Sequence, residues 1–113
     1  MRHVESTLQT HCVKWFRYQY PKRTLFSVPN GGQRNAITGA ILKAEGALAG
    51  VADLFLMHAA KGYNGLFIEM KTKTGRQQPS QVNFQAKCTA EGYLYAVCRS
   101  FDEFQNLING YLN

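Results

Sequence analysis

The chain has 113 residues, of which 45% are hydrophobic and 12% aromatic, and it contains only 3 prolines. This composition predicts one globular domain over residues 1–113 rather than a disordered chain. The 13 Lys and Arg residues outnumber the 7 Asp and Glu residues, and the resulting net charge of +6 favours a polyanionic partner such as nucleic acid.

The first predicted helix spans residues 4–20. Apolar side chains recur every fourth residue along one side, as in an amphipathic helix: Val4, Leu8, Cys12 and Phe16. Glu5 is placed beside this stripe, where a carboxylate is usually a partly exposed residue favoured by the helix dipole. Glu5 becomes a candidate functional residue only because an acidic centre is predicted elsewhere.

A short strand and a second helix follow. Residues 24–28 predict the strand, and the Pro29–Gly32 turn then redirects the chain. Its glycines could let the backbone approach a phosphate, but a plain turn is the simpler interpretation because no phosphate-loop lysine and serine follow. Residues 36–45 predict the helix, with four apolar side chains expected to face inward: Ile37, Ala40, Ile41 and Ala44.

The centre of the chain predicts a β-hairpin. Two short apolar runs flank a turn-rich stretch that is centred near Gly62 and Tyr63. Antiparallel pairing about this turn places Asp53 opposite roughly Glu69 to Lys71. Because strand side chains alternate between faces, Glu69 and Lys71 share one face. Two carboxylates and one ammonium group are therefore expected to converge at one end of the hairpin.

The last third of the chain predicts a helix, a strand and a helix. Ser80 is the expected N-cap of the first of these helices, and Gly92 ends it. Residues 93–98 are a compact apolar run and predict a buried strand. The Ser100-x-x-Glu103 pattern is a capping box that begins the final helix. The order α-β-α-β-β-α-β-α predicts an α/β fold in which helices flank a small mixed sheet.

The converging side chains predict a divalent-cation site. Asp53 and Glu69 would supply two hard carboxylate ligands, and the backbone carbonyl of Met70 a third, which suits Mg²⁺. Lys71 could orient or deprotonate a water and offset charge on a phosphate. Glu5 could reach the same centre through a metal-bound water.

Residues after the hairpin could extend this site. Gln81, at the start of the next helix, could hydrogen-bond the water or Lys71, and Lys73 and Arg76 could position phosphate groups. Each feature alone has a simpler interpretation, because a Glu-x-Lys triplet is usually a solvated strand edge and an Asp after Gly-Val-Ala can simply cap a turn. The combination of these features is the stronger indication of a site.

The same positions carry a resemblance to a known family. Glu5, the Gly50–Asp53 stretch, the Ile68–Lys71 stretch, Gly75 and Gln81 together resemble the VRR-NUC nucleases, a branch of the PD-(D/E)XK superfamily. The resemblance covers nearly the whole chain, including the turn that begins at proline 29, and implies a restriction-endonuclease-like core. An alanine, residue 52, stands where the superfamily name records a proline, and we expect altered turn rigidity rather than lost activity.

The resemblance also implies metal-dependent cleavage of DNA phosphodiesters. In that family the residues matching Asp53 and Glu69 bind the metal, Lys71 is catalytic, and the residues matching Glu5 and Gln81 complete the centre. The candidate DNA contacts are Asn30, Arg34, Lys73 and Arg76.

The leading hypothesis is a Mg²⁺- or Mn²⁺-dependent, structure-selective DNA endonuclease. Short stand-alone members of the family resemble phage proteins that dimerise and cut four-way Holliday junctions, and a homodimer matches such a two-fold substrate. The alternatives are a flap- or duplex-directed nuclease, a non-catalytic DNA-binding module of the same fold, and a structural protein that binds partners through its apolar final helix.

Cysteines and hydrophobic runs indicate the compartment. Cys12, Cys88 and Cys98 are odd in number and lack C-x-x-C spacing, so we expect reduced thiols rather than disulfides or a zinc site. No apolar run approaches the roughly 18 residues of a membrane span, and no signal peptide opens the chain. We expect a cytoplasmic protein of a bacterial cell or phage-infected host, with no membrane partner and no small-molecule cofactor.

Overall fold

Four helices flank a four-stranded sheet. The computed structural model describes residues 2–29 and 36–113. In chain order the elements are α1 (Arg2–Gln19), β1 (Leu25–Ser27), α2 (Ala36–Ala44), β2 (Leu54–Leu56), β3 (Leu66–Met70), α3 (Pro79–Ala90), β4 (Leu94–Cys98) and α4 (Phe101–Leu112). This order confirms the predicted α/β fold. None of the helices in the described ranges is both long enough and apolar enough to cross a bilayer.

The sheet is mixed and follows the chain, with strand order β1-β2-β3-β4. The β1–β2 and β2–β3 pairs are antiparallel, whereas β3 and β4 are parallel and are joined by the crossover helix α3. Leu54 pairs with Ile68, so the residue before β2, Asp53, comes opposite Glu69. The predicted hairpin is therefore confirmed, with its two candidate carboxylates at one end.

The sheet separates two apolar clusters. On one face, α1 and α4 pack through Cys12, Phe16 and Phe104 against buried strand residues that include Leu54 and Ile68. On the other face, α3 packs over a smaller cluster built on Ala52, Cys88 and Tyr95. Because strand side chains alternate, Glu69 lies on the α3 face between two neighbours that point into the larger cluster.

The two C-terminal helices begin with different caps. The Ser100 hydroxyl accepts a hydrogen bond from the backbone N–H of Glu103 at 3.1 Å, as the capping pattern predicts. In contrast, α3 has Gln78 as its N-cap, so the prediction of Ser80 is wrong. The reason is Pro79, which suits the first helical position because the N–H that it lacks would have no intrahelical partner there.

Two predicted apolar faces are exposed in part. Val4, expected in the buried stripe of α1, is 60% exposed, whereas Glu5 is half-buried. Glu5 precedes the buried Cys12 by two helical turns and therefore lies on the same side of α1. On α2, Ile37 and Ile41 are 75% and 53% exposed, so the prediction that they face inward is wrong. Within the described residues, α2 contributes to neither apolar cluster.

Candidate active site

Asp53 and Glu69 face each other across the β2–β3 pair. Asp53 Oδ2 accepts a hydrogen bond from the backbone N–H of Met70 at 2.7 Å. Because Asp53 immediately precedes β2, this side-chain bond lies where the backbone pairing of β2 with β3 would otherwise continue. Glu69 is only 3% exposed. Lys71 follows β3 directly, is buried, and places its Nζ 3.8 Å from Glu69 Oε2. The structure therefore brings together the two carboxylates and the lysine that the sequence singled out.

The surroundings of Glu69 oppose its ionisation. The pKa of Glu69 is raised from 4.5 to about 8, first because burial removes water from the carboxylate and second because the Asp53 carboxylate repels another negative charge. The ammonium group of Lys71 lowers this pKa and offsets only part of the rise. An additional positive charge at this point would stabilise the ionised pair.

Neighbouring polar groups fix the orientation of Glu69. Gln81, near the start of α3, donates from Nε2 to Glu69 Oε2 at 2.7 Å. The Tyr95 hydroxyl on β4 donates to Glu69 Oε1 at 3.4 Å and accepts from Gln77 Nε2 at 3.3 Å. The sequence predicted Gln81 but missed Tyr95 and Gln77. Their contact depends on the parallel β3–β4 register, for which the local sequence carries no signal.

Gln81 also shapes the start of its own helix. Its Oε1 accepts a hydrogen bond from the backbone N–H of Gln78 at 2.7 Å, while its Nε2 reaches Glu69. One amide side chain therefore joins the N-terminus of α3 to the buried carboxylate. The position of the Gln81 side chain relative to Glu69 is therefore set by helix capping as well as by packing.

The oxygen atoms at this end of the hairpin fit a divalent cation. In a strand, the N–H and C=O of one residue point toward the same neighbouring strand, so the Met70 carbonyl lies on the side where its N–H meets Asp53. Carboxylate and carbonyl oxygens are the ligands that Mg²⁺ and Mn²⁺ prefer. A cation would also offset the repulsion between Asp53 and Glu69.

Glu5 is not part of a ligand cluster. Among the described residues, no three His, Cys, Asp or Glu side chains come together as a group able to hold a metal ion. A role of Glu5 through water therefore stays a prediction.

Arg99 anchors the loop that follows β3. Its Nη1 donates to the backbone carbonyls of Thr72 at 2.8 Å and Gly75 at 2.6 Å. A Cβ added at Gly75 would lie 2.8 Å from Thr72 Oγ1 and 3.6 Å from Lys71 Cδ. The loop is therefore folded back onto the stem of Lys71. Sequence reasoning missed Arg99 because its acceptors are backbone carbonyls, which leave no pattern in the sequence.

The candidate DNA contacts are described only in part. Lys73 and Arg76 are exposed on the loop after β3, next to Lys71. Asn30 and Arg34 lie outside the described residues.

Gly50 and Ala52 bring the hairpin against α3. Gly50 has φ +90°, and a Cβ added there would come within 2.2 Å of the Ser80 carbonyl oxygen. Only glycine suits this backbone conformation and this close approach. Ala52 is fully buried in the cluster with Cys88 and Tyr95. The short side chains before β2 therefore let the first turn of α3 reach the carboxylates.

Comparisons with known proteins point to one family and one fold. A family model described as "VRR-NUC domain" matches residues 2–102. A solved structure described as a VRR_NUC domain protein has a TM-score of 0.83 and 26% sequence identity, covering 96% of this chain and 87% of that one. A search of curated proteins found no match.

Proposed function

This chain belongs to the VRR-NUC domain family, a nuclease-type family, and we propose that it is a metal-dependent DNA endonuclease that hydrolyses phosphodiester bonds, with residues 1–113 as one nuclease domain. The observation that carries the proposal is the partly buried Asp53 facing the buried Glu69, with the buried Lys71 beside them. Carboxylates that face each other in a poorly solvated place weaken the folded protein unless positive charge offsets them. This arrangement is better explained by function than by stability.

Each residue has a role in the proposed chemistry. Asp53, Glu69 and the Met70 carbonyl would hold Mg²⁺ or Mn²⁺. When bound, this ion polarises a phosphoryl oxygen and acidifies water. Lys71 orients the attacking water and offsets negative charge on the phosphate. Gln81 keeps Glu69 Oε2 in place through its 2.7 Å hydrogen bond.

The remaining proposed residues surround this centre. Lys73 and Arg76 would contact phosphates on either side of the cleaved bond, supported by their exposure next to Lys71. Asn30 and Arg34 are proposed as further DNA contacts. Glu5 is proposed to reach the cation through water.

We further propose that the substrate is branched DNA, with a four-way junction as first choice, and that the enzyme is a homodimer. Ile37 and Ile41 lie one turn apart on α2 and are exposed, and Leu48, in the segment after α2, is exposed as well. Exposed apolar patches are typical of association surfaces. A two-fold dimer presents two active sites to two symmetric strands. A flap- or duplex-directed nuclease is the alternative.

The proposed location is the cytoplasm of a bacterial cell or phage-infected host. The three cysteines are buried and unpaired, which suits a reducing compartment.

A cleavage panel tests the proposed reaction. The protein is incubated with labelled linear, flapped and four-way DNA in Mg²⁺, Mn²⁺ or EDTA. We expect paired symmetric nicks on the four-way DNA that are lost in EDTA. Equal cutting of all three substrates would overturn the substrate but keep the nuclease. Metal-independent binding without any cutting would favour a non-catalytic DNA-binding module.

Sedimentation tests the dimer. An Ile37→Ser/Ile41→Ser variant should sediment as a monomer at concentrations where the parent chain is dimeric. Val82→Ser is the matched control, because Val82 is also an exposed apolar residue but lies on α3. A monomeric parent chain would exclude the homodimer.

A further inference from the structure

The excess positive charge of the chain comes from one segment of the sequence. Residues 6–44 contain six Lys and Arg residues and no Asp or Glu: Lys14, Arg17, Lys22, Arg23, Arg34 and Lys43. The rest of the chain contains seven basic and seven acidic residues and is neutral overall. The net charge of +6 therefore arises entirely from this segment, which includes most of α1 and the turn after it.

Five exposed residues in this segment form what we call the α1 basic surface: Lys14, Arg17, Tyr18, Lys22 and Arg23. Arg17 and Tyr18 follow Lys14 by three and four residues, so the three side chains share one face of the helix. Tyr18 is 85% exposed, which leaves its ring available to a partner. The buried Phe16 lies on the other side of α1, against the sheet.

Within the described part of the chain, no ion pair engages the basic residues of this surface. On the neighbouring helix, α4, negative charge is confined to the first turn, at Asp102 and Glu103. Trp15 packs against Phe104 and the Tyr20 hydroxyl donates to Asn109, so the C-terminal parts of α1 and α4 lie side by side. From Phe104 onward, α4 contains no charged residue. No ion pair among the described residues therefore offsets the positive charge of this surface.

The α1 basic surface is turned away from the candidate active site. Glu69 and Gln81 lie on the face of the sheet that α3 covers, whereas α1 packs on the opposite face. The exposed side of α1 faces away from the sheet altogether. A DNA segment bound on the α3 face of the sheet therefore does not also lie against the exposed side of α1.

We propose that the α1 basic surface binds the phosphate backbone of a DNA segment other than the one at the Asp53–Glu69 site. The inference rests on the proposed function for the identity of the polyanion. Four cations that have no ion-pair partner among the described residues suit successive phosphates, and an exposed tyrosine among them suits a sugar or an unpaired base. An anionic lipid surface is the competing polyanion. A helix that binds a membrane surface inserts several apolar side chains, whereas the α1 basic surface offers Tyr18 beside four cations.

The salt dependence of binding tests the surface. Binding to labelled four-way DNA is measured in EDTA over a range of KCl for the parent chain and a Lys14→Gln/Arg17→Gln/Lys22→Gln variant. The matched control is Lys43→Gln/Lys61→Gln/Lys87→Gln, which removes the same charge from exposed positions outside the surface. Each lost phosphate contact makes the negative slope of log K against log salt shallower by roughly 0.9. The magnitude of this slope should therefore fall by about 2 to 3 in the surface variant, which should also bind at least about tenfold more weakly at low salt. The control variant should keep the parent slope.

Crosslinking tests whether a separate segment is bound. A photoreactive maleimide is attached to Lys14→Cys or, as reference, Lys73→Cys; the native cysteines are buried and should not react. We expect the two positions to crosslink to different nucleotides of the junction. Thermal unfolding of each variant confirms that the substitutions leave the fold intact.

The outcomes separate this inference from the proposed function. Equal loss of slope in the surface and control variants, or crosslinks to the same nucleotides, would overturn the inference while leaving cleavage by the parent chain untouched. Binding to vesicles of anionic lipid through this surface, with no change in DNA affinity, would also overturn it. A parent chain that neither binds nor cuts DNA would overturn both.

Discussion

Gly50 and Ser80 approach so closely that a Cβ at position 50 would lie 2.2 Å from the Ser80 carbonyl oxygen. This contact joins the segment before β2 to the first turn of α3. It therefore fixes the distance between the strand end that carries Asp53 and the helix that carries Gln81. A glycine outside the chemistry thus holds two parts of the candidate site together.

Gly50→Ala should lower the free energy of unfolding by at least about 3 kcal/mol, because it adds a backbone clash to the strain of a positive φ. Gly46→Ala is the matched control, since Gly46 has φ +110° but nothing within 4 Å of an added Cβ. This control should cost about 1 kcal/mol from backbone strain alone. Urea unfolding measures both values, and equal costs would show that the contact with Ser80 is unimportant.

Asp53→Asn should abolish cleavage while making the metal-free protein more stable. The amide keeps an oxygen that can accept the hydrogen bond from Met70, but it removes the negative charge that faces Glu69. We expect a gain of about 1 kcal/mol or more in the free energy of unfolding in EDTA at about pH 9, where Glu69 with its pKa of about 8 is ionised, together with loss of activity in Mg²⁺. Loss of stability in this variant would contradict the repulsion between the two carboxylates.

Glu69 should make the metal-free protein less stable as pH rises. Its pKa is about 8 in the folded chain against an ordinary value of 4.5, so the folded state holds the proton more tightly than the unfolded state does. The stabilisation is complete below the unfolded pKa and is lost as pH rises through the folded pKa. Urea unfolding in EDTA between about pH 5 and pH 8 should show this decline, whereas a Glu69→Gln variant should lack it.

Added Mg²⁺ should restore the stability of the parent chain at the upper end of this range but leave the Glu69→Gln variant nearly unchanged. Parallel pH curves for the two proteins would refute the assignment of the effect to Glu69.

Arg99→Met should loosen the loop after β3 while leaving the hairpin intact. The substitution removes the donor to the Thr72 and Gly75 carbonyls and should cost about 2 kcal/mol. Hydrogen exchange should become faster in residues 72–76, and kcat should fall because the loop no longer packs on Lys71. Arg17→Met is the stability control, since Arg17 is exposed on α1. Unchanged exchange in the loop would show that Arg99 does not hold it.

The sequence predicted the parts of the site that lie within one hairpin. Asp53, Glu69 and Lys71 could be placed because turn residues and strand alternation determine their positions locally. Tyr95 and Arg99 could not be placed, since each acts through the parallel β3–β4 pair. That register is set by α3 packing on the sheet, which no local pattern records.

The errors in helix faces have a similar origin. The apolar spacing of Ile37 and Ile41 indicates a helix correctly, but periodicity does not say whether the rest of the chain covers that face. At position 52 the family resemblance drew attention to turn rigidity, which stays a prediction, and the structure adds that Ala52 is fully buried against α3. In both cases the missing information was tertiary.

The position of the two carboxylates also bears on the order in which the chain folds. Asp53 and Glu69 lie at the end of the β2–β3 hairpin, which joins residues closer in sequence than either of the other strand pairs. Local pairings close early because they lose the least chain entropy. The repulsion between these side chains therefore acts on an early step, and neutralising one of them should raise the refolding rate as well as the final stability.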